Sequence, residues 1–371
     1  MQDLPLEGVL VLDFSQFLAG PVAALRLADL GARVIKVERP DGGEIGRTLA
    51  FAGRTADGDT LSFHAMNRNK EGLSADLKEP HDLAGVRELV DGADVLIQNF
   101  RPGVMERIGL DEATVRRTNP GLVYASASGY GGSGPWRSRP GQDLLAQSVS
   151  GLAWQSGAGR RPVPVGLSLA DHLMSCHLAL GVTALLVRRA RTGQGGLVET
   201  SLLEGMLDLQ LDRLTALLNP DLAASPSAGG AVLATADGHL AVVTTDLRRL
   251  AEVVGAPEVE SVGSVLRTRG TGHWTGVLDR AGIGSAPVLG LEELLAHDGF
   301  EAIGMTQQVV RPGSLTTHGD DLVLTTTRSP IRLDGHRLRS DRPAPKLGQD
   351  DGGPGGLSGL AAAARRAARV R

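Results

Sequence analysis

Two aspartates occupy positions from which a carboxylate could act as a nucleophile or an acid–base group. Asp171 opens a long apolar run, Leu167–Val187, that predicts a buried helix, and Asp143 opens the helical segment before it. Burying an ionised carboxylate is costly unless a helix start compensates it through free N–H groups and the dipole. Each aspartate is therefore either a helix cap, the commoner role there, or one of two carboxylates in a single cleft whose pKa values are pushed apart.

A glycine-rich segment, Gly129–Gly134, follows a predicted strand and matches the G-x-G-x-x-G dinucleotide fingerprint. That fingerprint also needs a helix that begins at the glycines, and Pro135–Pro140 cannot supply one. We therefore expect a loop that brings backbone close to a ligand. A Rossmann NAD site is not expected, although Glu38 lies where a ribose-binding acid would be.

The one cysteine, Cys176, lies on the same predicted helix as Asp171. A lone cysteine in an apolar run is more often a core residue than a nucleophile. His172 and His177 are five residues apart and do not share a helix face, so we predict no metal site. A single cysteine also excludes intrachain disulfides and fits a reducing cytoplasm, where we expect the protein to be located.

The composition of the 371 residues argues against two classes of partner. A net charge of −4 and an aromatic content of 3% give no footprint for nucleic acid. No uninterrupted apolar stretch reaches the roughly 18 residues of a membrane span, and Met1–Glu7 lacks the features of a signal peptide. We expect neither a nucleic-acid partner nor a membrane.

The chain begins with a strand over Val9–Asp13, a helix over Ala19–Gly31 and a strand over Arg33–Glu38, which predict a parallel pair with a right-handed crossover. The pattern recurs in helices near 81–92 and 111–117 and in strands at 94–98 and 122–126. These elements predict a doubly wound α/β domain. After a break at Asn219–Gly230, a smaller α+β unit follows, whose strands Ala231–Thr235 and Leu240–Thr244 are joined by an Asp-Gly hairpin signal. Further helices are predicted near 247–254 and 291–297.

Basic residues cluster near the predicted strand ends. Taken singly, each is a solvated surface charge; as a set, they could hold a phosphate-bearing ligand. They are Arg39, Arg68, Lys70, Arg101, Arg107, Arg137 and Arg139.

Several segments in order, covering Leu6 to Gly348, together resemble the family III CoA-transferases, the superfamily that also holds the α-methylacyl-CoA racemases. The segments are Val11–Pro21, Ala28–Glu38, Asn67–Lys78, Ala93–Gly103, Asn119–Tyr124, Gly129–Pro135, Pro140–Gln147, Arg191–Gly195 and Arg342–Gly348.

The resemblance implies a Rossmann-like large CoA-binding domain over residues 1–215 and a small α+β domain over 216–320. A C-terminal segment, 321–371, is expected to return to the large domain and to end in a disordered tail or a short basic helix; disorder is favoured because short helices are marginal alone. The resemblance also implies a homodimer interlaced like chain links. Acyl-CoA and a carboxylic acid would be its substrates, with no permanently bound cofactor.

The resemblance assigns roles to individual residues. Asp171 falls on the nucleophile that attacks an acyl-CoA thioester, and the helix start is expected to keep it ionised; Asp143 falls on the second acidic position. The implied CoA contacts are Gln16, Phe17, Leu18, Ala19, Arg39, Asn99, Phe100 and Arg107. The protecting glycine loop corresponds to Ser227–Ala231, with Gly229 and Gly230 at its centre.

Three departures keep other activities open. Racemases carry histidine where this chain has Gln142, and glutamine cannot transfer protons at a useful pKa, although Asp246 lies where racemases have glutamate. Leu18 replaces a glutamine of formyl-CoA transferase, which argues against oxalate or formate as substrate. The glycine loop and the tail also differ. A racemase or epimerase, or a CoA-ester-binding protein without transferase activity, are the alternatives to a transferase of sulfur-containing groups.

Overall fold

The computed structural model describes residues 4–49, 53–157, 161–223, 229–313 and 321–351. These residues form two compact units: the larger takes the described chain up to Thr215 and from Met305 onward, and the smaller takes Ala216–Gly304. The predicted return at residue 321 lies later than Met305. The earlier return follows from strand pairing, because Thr306–Arg311 pairs with Leu322–Thr327 inside the larger unit.

The larger unit is built on a parallel sheet. Up to Thr215 its described strands are β1 (Leu10–Asp13), β2 (Arg33–Glu38), β3 (Thr55–Ala56), β4 (Asp59–Thr60), β5 (Glu71–Ser74), β6 (Val95–Gln98), β7 (Val123–Ser128) and β8 (Gly196–Ser201). β3 and β4 form a hairpin, and the other strands form one sheet in the order β5-β2-β1-β6-β7-β8, with every neighbouring pair parallel. The predicted parallel α/β class is confirmed. Counted along the chain, the order is the 3-2-1-4-5-6 of doubly wound sheets.

Helices cover both faces of this sheet. The helices of the larger unit are α1 (Ala19–Asp29), α2 (Leu61–Asn67), α3 (Pro80–Asp91), α4 (Val104–Ile108), α5 (Glu112–Thr118), α6 (Asp143–Val149), α7 (Leu152–Ser156), α8 (Leu169–Thr192) and α9 (Leu202–Asp208). A further helix, α10 (Leu211–Leu218), includes residues of both units. Side chains of β1 alternate between two apolar clusters, since Val11 packs under α1 and α8 while Leu10 and Leu12 pack under α3. A strand covered on both faces needs a continuous apolar run, which is what the sequence shows.

The smaller unit begins with the predicted hairpin, here β9 (Gly230–Ala234) paired antiparallel with β10 (His239–Val243). β11 (Gly284–Pro287) adds to β10. Its helices are α11 (Leu247–Val254), α12 (Val262–Leu266), α13 (Thr271–Arg280), α14 (Leu291–Leu295) and α15 (Asp298–Ile303), after which the larger unit resumes with β12 (Thr306–Arg311), β13 (Leu322–Thr327), β14 (Arg332–Leu333) and β15 (His336–Arg337).

The long apolar helix α8 is buried along one face only, which corrects the prediction of a buried helix. By length and composition alone, this helix is long and apolar enough to cross a membrane, which the sequence pattern did not predict. Its inner face packs on α1, α9, β7 and β8 through residues such as Met174 and Leu178. Leu180 and Val187 on its outer face are 68% and 50% exposed.

Charged groups are fully buried at the carboxyl edge of the sheet. Lys70 Nζ donates hydrogen bonds to Asp13 Oδ2 at 2.8 Å, to Pro21 O at 2.9 Å and to Asn67 Oδ1 at 2.8 Å. Burial lowers the pKa of Lys70 to about 8; Asp13 opposes this fall and Lys36 adds to it. Lys70 is therefore a structural cation that joins the end of β1 to the first turn of α1, and not the phosphate ligand that the sequence suggested.

We expect Lys70→Met to destabilise the fold by about 3–5 kcal/mol, because it leaves the buried Asp13 carboxylate without its hydrogen-bonded cation. Urea titration measures the change. The double variant with Asp13→Asn should lose less than the sum of the two single losses. The exposed Lys78→Met is the matched control, expected within about 0.5 kcal/mol of wild type. Equal losses in the two lysine variants would contradict this reading.

Candidate active site

Asp171 lies in the first turn of α8, two residues after the helix begins. Ser168, which precedes the helix, makes no side-chain capping hydrogen bond. The carboxylate of Asp143, the first residue of α6, instead accepts the backbone N–H of Asp171 at 3.1 Å. Asp143 thus does for α8 what an N-cap side chain does. Within the described residues, no group donates a hydrogen bond to the Asp171 carboxylate.

Burial raises the pKa of Asp171 to about 7, and the negative charge of Asp143 adds to the rise. This reverses the expectation that the helix start keeps Asp171 ionised. The reason is that the first-turn N–H group points at Asp143, so burial and the like charge outweigh the dipole. Near neutral pH the carboxyl group of Asp171 is consequently divided between a nucleophilic and a protonated form.

Gln147, one turn after Asp143 on α6, joins the two acidic segments. It is buried, and its Nε2 donates to the Asp143 carboxylate and, at 2.9 Å, to Leu167 O. Its Oε1 accepts the backbone N–H of Val165 at 3.1 Å. Gln147 therefore holds both Asp143 and the chain that leads into α8. The positioning role of Gln147 was not predicted from the sequence, although its i, i+4 spacing from Asp143 was a signal for it.

Two glycines set the position of Asp143. Gly129 follows β7 and touches Gly141, and a Cβ on either would lie 2.5 Å from the Cα of the other. Gly129 O also accepts the backbone N–H of Leu203 at 3.1 Å. The predicted close approach of backbone at this segment is therefore an approach of backbone to backbone, and it places the start of α6 beside β7.

The loop between β1 and α1 is fixed by side chains from other elements. Gln16 N–H donates to Asn99 Oδ1 at 2.9 Å and Asn99 Nδ2 donates to Gln16 O at 2.7 Å. Phe17, with φ at 66° and its ring partly exposed, donates its N–H to Glu44 Oε2 at 3.1 Å. A left-handed non-glycine residue persists only where its surroundings hold it. The loop and Asn99 follow β1 and β6, where the strand order reverses and doubly wound folds bind ligands.

The remaining predicted CoA contacts divide by exposure. Phe100 is half-buried beside Asn99, and Leu18 and Ala19 are buried. Arg39 and Arg107 are exposed at the end of β2 and on α4, and Arg39 Nε donates to Gly43 O at 2.7 Å. Arg101, Arg137 and Arg139 are also exposed. The carboxyl edge therefore offers several exposed guanidinium groups.

Three sequence expectations need correction or qualification. Arg68 is buried and pairs with Asp29 at 3.1 Å, so it is not an exposed phosphate ligand. Cys176 is exposed and not a core residue, because it lies on the outer face of α8. Gly229 directly precedes β9 of the smaller unit and Gly230 begins it, while Ser227 and Ala228 lie outside the described residues. Among the residues described, no cluster suited to a metal ion is found.

Comparison with known proteins gives matches along most of the chain. The family model of CoA-transferase family III matches residues 6–351. The chain is 31% identical to the succinate–glutarate CoA-transferase of Agrobacterium fabrum, over 93% of each protein. It is 30% identical to the acetyl-CoA:oxalate CoA-transferase of Acetobacter aceti, over 92% of this chain and 93% of that one.

Solved structures give the same picture. The Rv3272 protein of Mycobacterium tuberculosis matches with a TM-score of 0.81 and 28% identity, over 95% of this chain and 99% of that one. A CAIB/BAIF family protein from Brucella suis matches with a TM-score of 0.79 and 26% identity, over 94% of this chain and 98% of that one.

The raised pKa of Asp171 predicts a pH-dependent stability. The folded protein keeps the proton on the Asp171 carboxyl group up to about pH 7, whereas the unfolded chain keeps it only to about pH 4. The contribution of this proton to the free energy of unfolding is therefore full below pH 4 and is lost as pH rises through 7. We expect Asp171→Asn to match the wild type near pH 4 and to exceed it by on the order of 4 kcal/mol at pH 8, about 1.4 kcal/mol for each of the roughly three pH units between the two pKa values. Denaturant titration at several pH values measures this difference.

The matched control is Asp111→Asn. Asp111 caps α5 by accepting the Thr114 N–H at 3.0 Å, and asparagine caps about as well as aspartate. Its stability change should stay near zero across the same range. A lower stability of Asp171→Asn than of the wild type at pH 8 would identify Asp171 as a structural cap and refute the assignment of a raised pKa to its carboxyl group.

Proposed function

This chain belongs to CoA-transferase family III, and we propose that it moves coenzyme A from an acyl-CoA to a carboxylic acid through covalent intermediates on Asp171. The proposal is carried by one observation: Asp143, and not Asp171, accepts the first-turn N–H of α8, which leaves the Asp171 carboxylate without a hydrogen-bond donor among the described residues. Burial and the Asp143 charge, which raise the pKa of Asp171 to about 7, support it. A structural cap would accept a backbone N–H, and here Asp143 has that role.

The proposed reaction begins when the Asp171 carboxylate attacks the thioester carbonyl. The C–S bond breaks, giving an acyl-aspartyl anhydride and a CoA thiolate. The thiolate then attacks the aspartyl carbonyl, which releases the first acid and leaves an aspartyl-CoA thioester. The incoming carboxylate attacks this thioester, and the freed thiolate attacks the acyl carbon of the new anhydride. Acyl-CoA of the second acid forms, and the Asp171 carboxylate is restored.

Asp143 has two proposed roles in this sequence. It positions Asp171 by accepting its N–H. It also places a negative charge beside the nucleophile, and this repulsion disappears when Asp171 becomes a neutral acyl-aspartyl group. The charge therefore favours the acylated enzyme over the ionised free enzyme, which lowers the barrier to the first step.

The proposed CoA site uses the carboxyl edge of the sheet. The loop Gln16–Ala19, Asn99 and Phe100 would line it where the strand order reverses, and Arg39 and Arg107 offer guanidinium groups for phosphates. Gly229 and Gly230, at the start of β9, are the proposed protecting loop on the strength of the resemblance alone.

We also propose that the chain works as an interlaced homodimer. Support comes from large apolar side chains that one chain leaves exposed: Leu180 on α8 at 68%, and Leu217 and Leu218 on α10 at 77% and 80%. Exposed apolar surface often marks an interface, and most oligomers pair identical patches.

Two residues weigh against the racemase alternative. Gln142 precedes α6 where racemases carry histidine, and an amide cannot act as acid or base near neutral pH. Asp246, where racemases carry glutamate, accepts the backbone N–H of Arg249 as the N-cap of α11. Solvent deuterium exchange at the α-carbon, without an acceptor acid, would nevertheless favour that activity.

We expect Asp171→Asn to lower CoA-transferase turnover by about a thousandfold or more, as loss of a covalent nucleophile does. In the wild type, acyl-CoA followed by hydroxylamine should convert Asp171 to a hydroxamate that mass spectrometry locates. Asp111→Asn is the control and should keep full activity. Labelling of another residue, or turnover by Asp171→Asn, would refute the covalent role.

The pKa of Asp171 in the free enzyme predicts that kcat/KM rises with pH through about 7, since only the ionised form attacks. Asp143→Asn removes the like charge while its side-chain oxygen can still accept the N–H of Asp171. The rising limb should therefore move to lower pH, as a kcat/KM profile measured from pH 5 to 9 would reveal. A rising limb at the same pH in Asp143→Asn as in the wild type would mean that Asp143 does not influence the titration of the group that governs the profile.

A further inference from the structure

A buried arginine, Arg47, closes the loop that follows β2, residues 39–46. Its Nε donates to Glu38 Oε2 at 2.8 Å and its Nη2 donates to Glu38 Oε1 at 2.7 Å, so the guanidinium binds the last residue of β2 through two nitrogens. Burial would raise the pKa of Glu38, but the hydrogen bonds from Arg47, with the Lys36 charge, outweigh it and hold this pKa below its usual range. A bidentate ion pair therefore fixes both ends of the 39–46 loop.

Other segments hold the Arg47 side chain as well. Nη1 donates to both carboxylate oxygens of Asp59 on β4 at 3.0 Å, and Nη2 also donates to Pro345 O at 3.2 Å. The guanidinium carbon lies 4.0 Å from the centroid of the Phe63 ring, a cation–π contact. Arg47 is thus anchored to β4, to α2 and to the returning C-terminal segment, and the 39–46 loop is built on a fixed point.

Gly43 connects this fixed point to Arg39. Its φ is 64°, and a Cβ there would lie 2.6 Å from Arg47 Cδ and 2.7 Å from Glu38 Oε2. The Gly43 carbonyl accepts the Nε–H of Arg39 at 2.7 Å. The exposed Arg39 guanidinium is therefore held by backbone that lies directly against the Arg47–Glu38 pair.

Glu44 connects the same pair to the β1–α1 loop. Its backbone N–H donates to Glu38 Oε2 at 2.9 Å, the oxygen that also accepts Arg47 Nε. Its carboxylate accepts the N–H of Phe17, the residue with the left-handed backbone, at 3.1 Å. The Arg47–Glu38 pair is consequently one contact away from Arg39 on one side and two contacts away from Phe17 on the other.

We propose that Arg47 is a positioning residue for coenzyme A, which orients Arg39 and Phe17 through the 39–46 loop without touching the ligand. The inference rests on the proposed function, because that function places CoA against Arg39 and Phe17. The CoA moiety is bound in the same way before and during the first attack on the thioester. Loss of Arg47 should therefore weaken CoA binding and leave the chemical step nearly unchanged.

Arg47→Lys tests the proposal, because lysine keeps the charge but cannot form the bidentate pair. Isothermal titration calorimetry should give a Kd for coenzyme A about tenfold above the wild type, near the loss of one hydrogen bond to a charged group. The KM for acyl-CoA should rise in parallel, with kcat within about twofold. A wild-type Kd in Arg47→Lys would overturn the proposal.

The matched control is Arg33→Lys. Arg33 forms a similar pair at the opposite end of β2, where its Nε donates to Glu71 Oε1 at 3.0 Å and its Nη2 donates to Glu71 Oε2 at 2.7 Å. This variant should bind coenzyme A as the wild type does. A rise in Kd equal to that of Arg47→Lys would show a general effect on the fold and would also overturn the proposal.

Two neighbouring glycines give a second test, which decides the question if Arg47→Lys folds poorly by circular dichroism. Gly42 has φ at 70°, and within the described structure no atom lies within 4 Å of the position of its Cβ. Alanine strains the left-handed backbone at either glycine, but only Gly43→Ala presses on the Arg47–Glu38 pair. The Kd for coenzyme A should rise about tenfold in Gly43→Ala and at most about twofold in Gly42→Ala. Equal changes in the two variants would contradict the positioning role.

CoA binding and turnover distinguish this inference from the proposed function. If Arg47→Lys weakens CoA binding but the wild type transfers CoA to no acid, the proposed function fails and the positioning role stands. Turnover by a wild type whose CoA affinity does not depend on Arg47 would refute the positioning role alone. A wild type that does not bind coenzyme A would overturn both.

Discussion

The backbone N–H of Asp171 has no intrahelical acceptor, because it belongs to the first turn of α8. Asp143 supplies the acceptor from another helix. The consequence is a division of labour between two carboxylates: Asp143 takes the role of the cap, and Asp171 keeps a carboxylate with no donor among the described residues and with a like charge beside it. The contact of Gly129 with Gly141 and the hydrogen bonds of Gln147 all serve to keep Asp143 in that place.

A second constraint acts at the carboxyl edge of the sheet, where buried cations hold a loop by its backbone. Lys36 Nζ donates to Ser15 O at 2.9 Å, Lys70 Nζ donates to Pro21 O at 2.9 Å, and Glu44 accepts the Phe17 N–H. Buried ion pairs add little net stability, since desolvation offsets their attraction. Their effect here is geometric, because together with Glu44 they fix both ends and the centre of the loop that follows β1 at the carboxyl edge of the sheet.

The sequence predicted the elements well where periodicity was strong, as in the strand–helix–strand start and the hairpin at Asp237. It could not decide whether Asp171 was a cap, because the answer depends on Asp143, which lies 28 residues earlier in the chain. The role of Lys70 was misjudged for a similar reason: its partner Asp13 is 57 residues away. Whether a charged group is buried, and which group it pairs with, depends on the tertiary structure and not on the local sequence.

The raised pKa of Asp171 matters for a reaction that must run in both directions. In the proposed cycle the aspartyl group alternates between bonds to a thiolate and to carboxylates, whose conjugate acids have pKa values near 8.5 and near 4 respectively. An ordinary aspartate would be a weak nucleophile toward the thioester. With a pKa of about 7, Asp171 lies between the two leaving groups in basicity, so neither exchange is steeply uphill. In the proposed cycle, the same burial that destabilises the ionised side chain in the fold would bring its reactivity close to that of the groups it exchanges.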